Sequence, residues 1–348
     1  MKILFDGTSI FEDLKMGLST YSYEIVKNIY LADPTNQYFV GVRTSRWKSI
    51  HKLDVNVKIE KLLSLSIGGD FLPLAFSPNK FDIYHGLANR LCFGIIAKKY
   101  ILTLHDTHGR KKKLKKMCNL ADLVITISNF SKRLIVEELG IPEKKIKVIY
   151  NGVSDIFTKK DQNYVSEKKK EFKSKYGGDR FILCVITDDT QRNIRNILFT
   201  ITNITQKYKG VKAIFVGKDI SEYIQTHKNN IINIGYVSKE QLCDLYNISD
   251  MLFFPATYGG FGLPVVEAMA CGCPVLTSRG TAQDEIGDEA AEKCDPSSVD
   301  EMIEKMEKII SSPSLQQKLS EKGLERAKFF SWKNAAQQIL ETYREVMK

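Results

Sequence analysis

The residues with most chemistry to offer lie in one stretch, Phe254 to Val275. Its apolar opening stops at Pro255, and Gly259, Gly260 and Gly262 follow within four positions, with Phe261 and Leu263 interleaved. Pro264 then suits the first turn of a helix that ends near Gly272. A helix start reached through a glycine loop presents unpaired backbone N–H groups and the positive end of a dipole, so its natural ligand is an anion. Glu267, one turn further in, can accept hydrogen bonds from hydroxyls of the same ligand. Phosphate together with a polyol points to a sugar nucleotide.

A second group of polar residues sits where apolar runs end. Ile83 to Gly86, Tyr100 to Asp106 and Leu123 to Ser128 read as three buried strands. Ligands collect at the carboxyl ends of strands in an open α/β sheet, which places His85, His105, Asp106 and Ser128 on one rim. The His105–Asp106 pair is the one best suited to act on a ligand. Between these runs lies a basic segment with Lys111, Lys112, Lys113, Lys115 and Lys116, and with Leu114, Met117 and Leu120 at helical spacing. Two readings stay open for it: a solvated helix face, or an amphipathic basic helix touching anionic lipid or a phosphorylated acceptor. Cys271 and Cys273 flank Gly272, but no second close pair or His cluster completes a zinc site, so they read as packing residues.

The elements that must position these residues alternate. Lys2 to Phe5 is a strand, and a helix with Tyr21, Ile25, Ile29 and Tyr30 on one face follows, capped by Ser19 or Thr20. Gly17 between them stands alone, so this is not the dinucleotide-binding fingerprint G-x-G-x-x-G. Strands are expected at Tyr38–Val42 and Val57–Ile59, and Ser64 to Asn79, broken by Gly68-Gly69 and two prolines, reads as a surface loop. The lysine-rich stretch Thr158 to Asp179 reads as a partly helical junction between domains. Strands then return at Phe181–Ile186, Val211–Val216, Asn230–Ile234, Met251–Phe254 and Val275–Thr277, and everything from Ser298 on is helical.

Composition agrees with two soluble domains. The chain has 348 residues, 43% apolar and 26% charged, and its length exceeds that of one ordinary compact unit. No apolar run approaches the ~18 residues that span a bilayer. The first strand begins too soon for a signal sequence, and seven scattered cysteines read as reduced thiols, so a cytoplasmic protein is expected. Residues 1–158 hold 24 Lys and Arg against 15 Asp and Glu, whereas residues 159–348 hold 27 against 26. The basic half is therefore expected to face an anionic surface or acceptor. No nucleic-acid partner is expected.

Taken in order, several segments resemble the retaining glycosyltransferases of family 4, which have the GT-B fold. They are Gly17 to Tyr21, Thr103 to Asp106, Ala121 to Lys132, Val148 to Val153, Gly235 to Ser238, Leu245 to Asp250, the Phe254 stretch and Glu321 to Trp332. Each is weak alone; together they span nearly the whole chain. The resemblance implies two Rossmann-like doubly wound α/β domains facing across a cleft. They would be an acceptor-side domain over 1–158 and a nucleotide-sugar domain over 159–332, with a final helix over 333–348 crossing back to the first domain.

The roles it implies fall on residues of this sequence. The loop Gly260 to Leu263 would hold a donor diphosphate, Glu267 the ribose, and Arg192 the diphosphate charge, while Gly235, Tyr236 and Val237 would wall the base. Gly17 would approach phosphate or acceptor, and His105 would face the donor sugar. Gly259 stands where the family carries the first acid of its E-x7-E motif, which removes one fixed acceptor from the sugar pocket. Asp188 and Asp189 read as solvated loop residues near the phosphate site.

The implied reaction is transfer of a sugar from a UDP- or GDP-linked donor to a glycan or lipid-linked acceptor hydroxyl, with retention. It would need no cofactor and no metal, in keeping with the absence of a D-x-D pair, and could occur at the inner membrane face. Two alternatives stand beside it: a degenerate member that binds a nucleotide sugar or a partner transferase with little turnover, and a sugar-nucleotide epimerase on the same architecture.

Overall fold

A computed structural model describes residues 1–10, 17–43, 55–65, 74–224 and 230–348. The chain forms two compact units, Met1–Gly152 with Ser331–Lys348, and Val153–Phe330. The divisions fall after Gly152 and Phe330, where the sequence reading placed them after 158 and 332.

The first unit holds β1 (Lys2–Asp6), β2 (Gln37–Arg43), β3 (Lys58–Leu65), β4 (Leu74–Phe76), β5 (Phe81–Gly86), β6 (Ala97–Thr103), β7 (Leu123–Thr126) and β8 (Ile146–Val148). They form one sheet in the order β4-β3-β2-β1-β5-β6-β7-β8. Its pairs are parallel except β3 with β4. Helices α1 (Gly17–Ala32), α2 (Lys111–Leu120) and α3 (Asn129–Leu139) accompany them. Ile3, Leu4 and Phe5 are successive and all fully buried, as expected of a strand covered on both faces.

In the second unit, α4 (Gln162–Tyr176) precedes β9 (Arg180–Ile186), α5 (Asp188–Gln191), α6 (Ile194–Lys207), β10 (Val211–Gly217) and β11 (Ile231–Gly235). Then come α7 (Lys239–Ile248), β12 (Met251–Phe254), α8 (Leu263–Ala270), β13 (Val275–Ser278), α9 (Ala282–Gly287), β14 (Glu292–Cys294), α10 (Val299–Ser311) and α11 (Pro313–Ala327). The strand order is β11-β10-β9-β12-β13-β14, all parallel. The order reverses direction between β9 and β12, and the crevice outside their carboxyl ends is where such sheets bind ligands.

Three sequence expectations change and one strand is added. Within Ser64–Asn79, Leu74–Phe76 forms β4, with Phe76 opposite Leu63; residues 66–73 lie outside the described residues. Thr158–Asp179, read as a partly helical junction, is mostly helix and packs into the second unit: Asp161 caps α4, Tyr164 hydrogen-bonds Asp244 at 2.9 Å and Lys169 pairs with Asp250 at 3.5 Å. Helix α1 already starts at Gly17, so Ser19 lies inside its first turn and is fully buried rather than capping it. The edge strand β14 has three residues, too few to show a periodicity.

The last helix, α12 (Trp332–Met347), belongs to the first unit. Gly152 lets the chain pass against its start, since a Cβ there would sit 2.0 Å from the Trp332 nitrogen. Further along, the Tyr343 hydroxyl meets Nδ1 of His85 at 2.6 Å. Nε2 of His85 meets Thr103 at 2.8 Å, and Thr103 meets the Tyr21 hydroxyl at 3.0 Å. One buried chain of hydrogen bonds thus joins α12, β5, β6 and α1. Burial, with a smaller contribution from His105, lowers the His85 pKa to about 3, so the ring is neutral. Its stabilising contribution is complete above its ordinary 6.5 and is lost as pH falls from there towards 3. Replacing Tyr343 by Phe leaves Nδ1 without this partner where water does not reach, so the free energy of urea unfolding should fall by about 1–3 kcal/mol.

Candidate functional site

The glycine loop is held where β12 ends. Three successive carbonyls at that exit each accept a hydrogen bond from a side chain on another element. Thr277 donates to Phe254 at 3.0 Å, Asn193 to Pro255 at 3.0 Å and Ser278 to Ala256 at 2.6 Å. The chain then turns through Gly259 at φ +153° and Gly262 at φ +94°. Gly262 is the N-cap of α8 and has no side chain to occupy the first N–H groups of the helix. Phe261 is buried, its ring 5.6 Å from that of Phe330, which pins the loop between its glycines. A glutamate at 259 would have to adopt a φ that L side chains rarely take, so the missing carboxylate is matched by the backbone path.

Glu267 lies on the fifth residue of α8 and is half-buried. The hydroxyl of Tyr246, a fully buried residue of α7, donates to it at 3.1 Å. Burial raises the Glu267 pKa to about 7 against the opposing effects of the Tyr246 hydrogen bond and the Lys239 charge. The carboxyl therefore changes charge near neutrality. Gly235, at φ +77°, ends β11, and exposed Tyr236 and half-buried Val237 lead to Ser238, the N-cap of α7. The segment expected to wall a base thus opens the helix that carries Tyr246.

Arg192 is exposed and follows α5 directly. Its neighbour Asn193 is buried and donates to both Pro255 and Pro296, at 3.0 and 2.8 Å. The arginine is thereby fixed one residue from a bond to the start of the glycine loop, across the β9–β12 switch point. Asp188 and Asp189, read as loop, belong to α5, which Thr187 caps through a reciprocal pair with Thr190. Asp188 is exposed, as expected, and pairs with Lys218 just after β10.

In the first unit, His105 is buried and fixed from several sides. Its Nε2–H donates to the Leu87 carbonyl at 2.9 Å, its N–H donates to Asn89 at 2.6 Å, and its carbonyl accepts from Ser131 at 3.2 Å. The Tyr21 ring meets it edge-on with centroids 4.5 Å apart. Because a carbonyl only accepts, the Nε2 proton is assigned and the neutral ring presents Nδ1 as an acceptor. Burial lowers its pKa, opposed by the Leu87 bond and the Asp106 charge.

The other rim residues divide. Asp106 is half-buried and accepts from the His108 N–H at 2.9 Å. His85 belongs to the interior network described above, and Ser128 caps α3, so both leave the rim as structural residues. Gly17 is exposed at the start of α1.

On α2, Leu114, Met117 and Cys118 are buried in the first unit's core, so the apolar stripe is not available to lipid. Lys111, Lys112, Lys115 and Lys116 are exposed and Lys113 is half-buried; Lys111 pairs with Glu138 at 3.0 Å.

Three residues of the second unit went unnoticed in the sequence: Asn193, Tyr246 and Gln283. Tyr246 falls in a helical apolar pattern and reads as core, while Asn193 reads as one polar residue among several. Gln283 carries no sequence signal at all.

With this geometry in hand, comparison with known proteins is informative. Residues 165–326 match the family described as Glycosyl transferases group 1, and residues 68–155 match Glycosyltransferase Family 4. The O-antigen chain mannosyltransferase B of Escherichia coli is 26% identical over 289 residues, covering 75% of this chain and 74% of that protein. The serotype-specific mannosyltransferase WbdA of Escherichia coli is also 26% identical, over 70% of this chain but only 31% of its own length. Anabaena HepE, solved with UDP and glucose, superposes with a TM-score of 0.73 at 17% identity over 99% of this chain and 100% of that one, a likeness of fold. With one family match on each α/β unit and the parallel-sheet architecture shared with GT-B enzymes, the chain belongs to the group 1 glycosyltransferases of family 4 and is a transferase.

Proposed function

We propose that the chain transfers a hexose from a nucleotide-diphosphate sugar to a hydroxyl of a glycan or lipid-linked acceptor, with retention and without a bound metal. The observation that carries this reading is the open N-terminus of α8 behind the glycine loop, with Glu267 on the same helix and Arg192 anchored beside the loop's start. The N–H groups and the arginine are suited to a diphosphate, and a carboxyl that ionises near neutrality is suited to ribose hydroxyls. The named relatives act as mannosyltransferases, which favours a mannosyl donor, UDP- or GDP-linked.

In the proposed step the acceptor oxygen bonds to the anomeric carbon on the face that the leaving group vacates. The bond from that carbon to the diphosphate oxygen breaks, and its electron pair stays on the diphosphate. The acceptor proton passes to a diphosphate oxygen, and Arg192 with the helix N-terminus balances the charge that develops. His105, neutral and an acceptor at Nδ1, would take a hydrogen bond from a sugar hydroxyl.

Among the described residues no helix is long and apolar enough to cross a membrane. A cytoplasmic protein with at most peripheral attachment is our reading, through the charges of Lys111, Lys112, Lys113, Lys115 and Lys116 alone.

Incubation with GDP-mannose, UDP-glucose and glycan acceptors, with and without EDTA, tests the assignment, and NMR of the product gives its anomeric configuration. Transfer that survives EDTA and retains configuration is expected, and Arg192→Ala should lower kcat by about 10²–10³-fold. Donor binding without transfer would support the degenerate alternative, and an epimerised free donor the third reading. Either would overturn ours.

The Glu267 pKa gives a second expectation. Affinity for UDP or GDP should rise as pH climbs through about 7, because the charged carboxylate is the better acceptor. Ligand-free stability should run the other way, since the raised pKa favours the protonated folded form, an advantage lost between the ordinary 4.5 and about 7. Tyr246→Phe removes a hydrogen bond to the charged form. Calorimetric titration from pH 6 to 8 should show its midpoint moved upward and its nucleotide affinity at pH 7 about tenfold weaker. An unchanged profile would remove Glu267 from the nucleotide site.

A further inference from the structure

Gln283 is the second residue of α9 and is fully buried, yet both Oε1 and Nε2 of its side-chain amide lack a hydrogen-bond partner among the described residues. A buried amide with both ends idle is rare, because neither its lost hydration nor its hydrogen-bonding capacity is recovered. The polar groups around it are paired. Thr281 bonds to the Ser278 carbonyl at 3.4 Å, and Asp284 accepts from the Gly280 N–H at 2.8 Å and pairs with Lys293 at 2.6 Å. The carbonyls of the loop entrance are already taken by Thr277, Asn193 and Ser278.

The amide is also placed with care. A Cβ on Gly262 would lie 2.7 Å from Cγ of Gln283 and 3.3 Å from its Nε2. The side chain therefore lies directly against the N-cap of α8, and only glycine at 262 leaves room for it. In the same loop as Gly262, Gly259 contributes no side chain. An otherwise complete loop thus has one idle donor and one idle acceptor at its helix entrance.

We propose that Gln283 binds hydroxyls of the donor sugar. The chemistry of the two idle atoms selects the ligand group. A phosphate oxygen would satisfy Nε2–H and leave Oε1 unpaired, whereas sugar hydroxyls both donate and accept and satisfy the two together. Gln283 then supplies at the sugar end what Glu267 and Arg192 supply at the nucleotide end. This assignment rests on the donor reading given above and adds to it a residue that separates sugar from nucleotide.

The test compares Gln283→Met with the wild type by calorimetric titration of UDP, GDP, UDP-glucose and GDP-mannose, by transfer kinetics and by melting temperature without ligand. The variant should keep its nucleotide affinity within about twofold, bind the preferred nucleotide sugar about tenfold more weakly, and lose about tenfold or more in kcat/KM. Without ligand it should melt at the same temperature or higher, because an unpaired amide has been replaced by an apolar group of similar shape. Gln283→Glu, which keeps an acceptor and loses the donor, should retain part of the sugar affinity; it also serves where the methionine variant folds poorly. The role of Gln283 is refuted by unchanged nucleotide-sugar affinity and turnover, or by equal weakening of nucleotide and nucleotide sugar, the mark of a packing role. Failure of the wild type to bind any of the four ligands would instead bring down the donor reading itself.

Discussion

Three carbonyls at the end of β12 govern the second unit's site. A parallel strand that ends at a sheet's switch point must release its chain into a loop, and the direction of that release decides where the next helix points. Here Thr277 and Ser278 from β13, and Asn193 from the start of α6, hold the carbonyls of Phe254, Pro255 and Ala256. These bonds are buried, so breaking one leaves an unsatisfied acceptor away from water. The glycine loop therefore leaves the sheet in one direction, and α8 begins where that direction ends. The same Asn193 amide ties the Arg192 segment to the loop, so a single side chain registers two of the site's parts.

Charge at this site is tuned by burial more than by pairing. Glu267 sits low enough in α7 and α8 packing for desolvation to outweigh both the Tyr246 hydrogen bond and Lys239. The result is a carboxyl that can exchange its proton near neutral pH. In the first unit the same physics acts with the opposite sign: buried His85 and His105 are held neutral, the first ring between the Tyr343 and Thr103 hydroxyls and the second on the Leu87 carbonyl. One histidine there has a structural duty, joining α12 to the sheet through Tyr343. The other keeps an assigned proton on Nε2 and an acceptor on Nδ1.

Much of the architecture was legible in the sequence because buried parallel strands are continuous apolar runs with polar ends. Runs such as Phe181–Ile186 and Met251–Phe254 therefore announced themselves, as did the glycine loop and Pro264 at the head of α8. What failed to show was local in a different sense. Strands β4 and β14 have three residues each, below the length at which alternation is visible. Helix α4 is rich in lysine and has no buried residue, so its sequence reads as a partly helical junction; Asp161 caps it, and only Tyr164 and Lys169 finding partners at Asp244 of α7 and at Asp250 made it an element of the second unit.

The residue types and spacing by themselves determined where an anion could bind, that Glu267 would share that helix, and that no acid stands at 259. They could not determine which polar residues face the ligand and which face the core, because that depends on contacts between segments far apart in the chain. Folding turned His85 inward to Tyr343, 258 positions away, and made Ser128 a helix cap. It set Asn193 against Pro255, 62 positions away, and Tyr246 under Glu267. It also laid Gln283 against Gly262 with both ends of its amide idle. Whether a buried polar group is satisfied is a property of its neighbours in space, and a sequence lists only its neighbours along the chain.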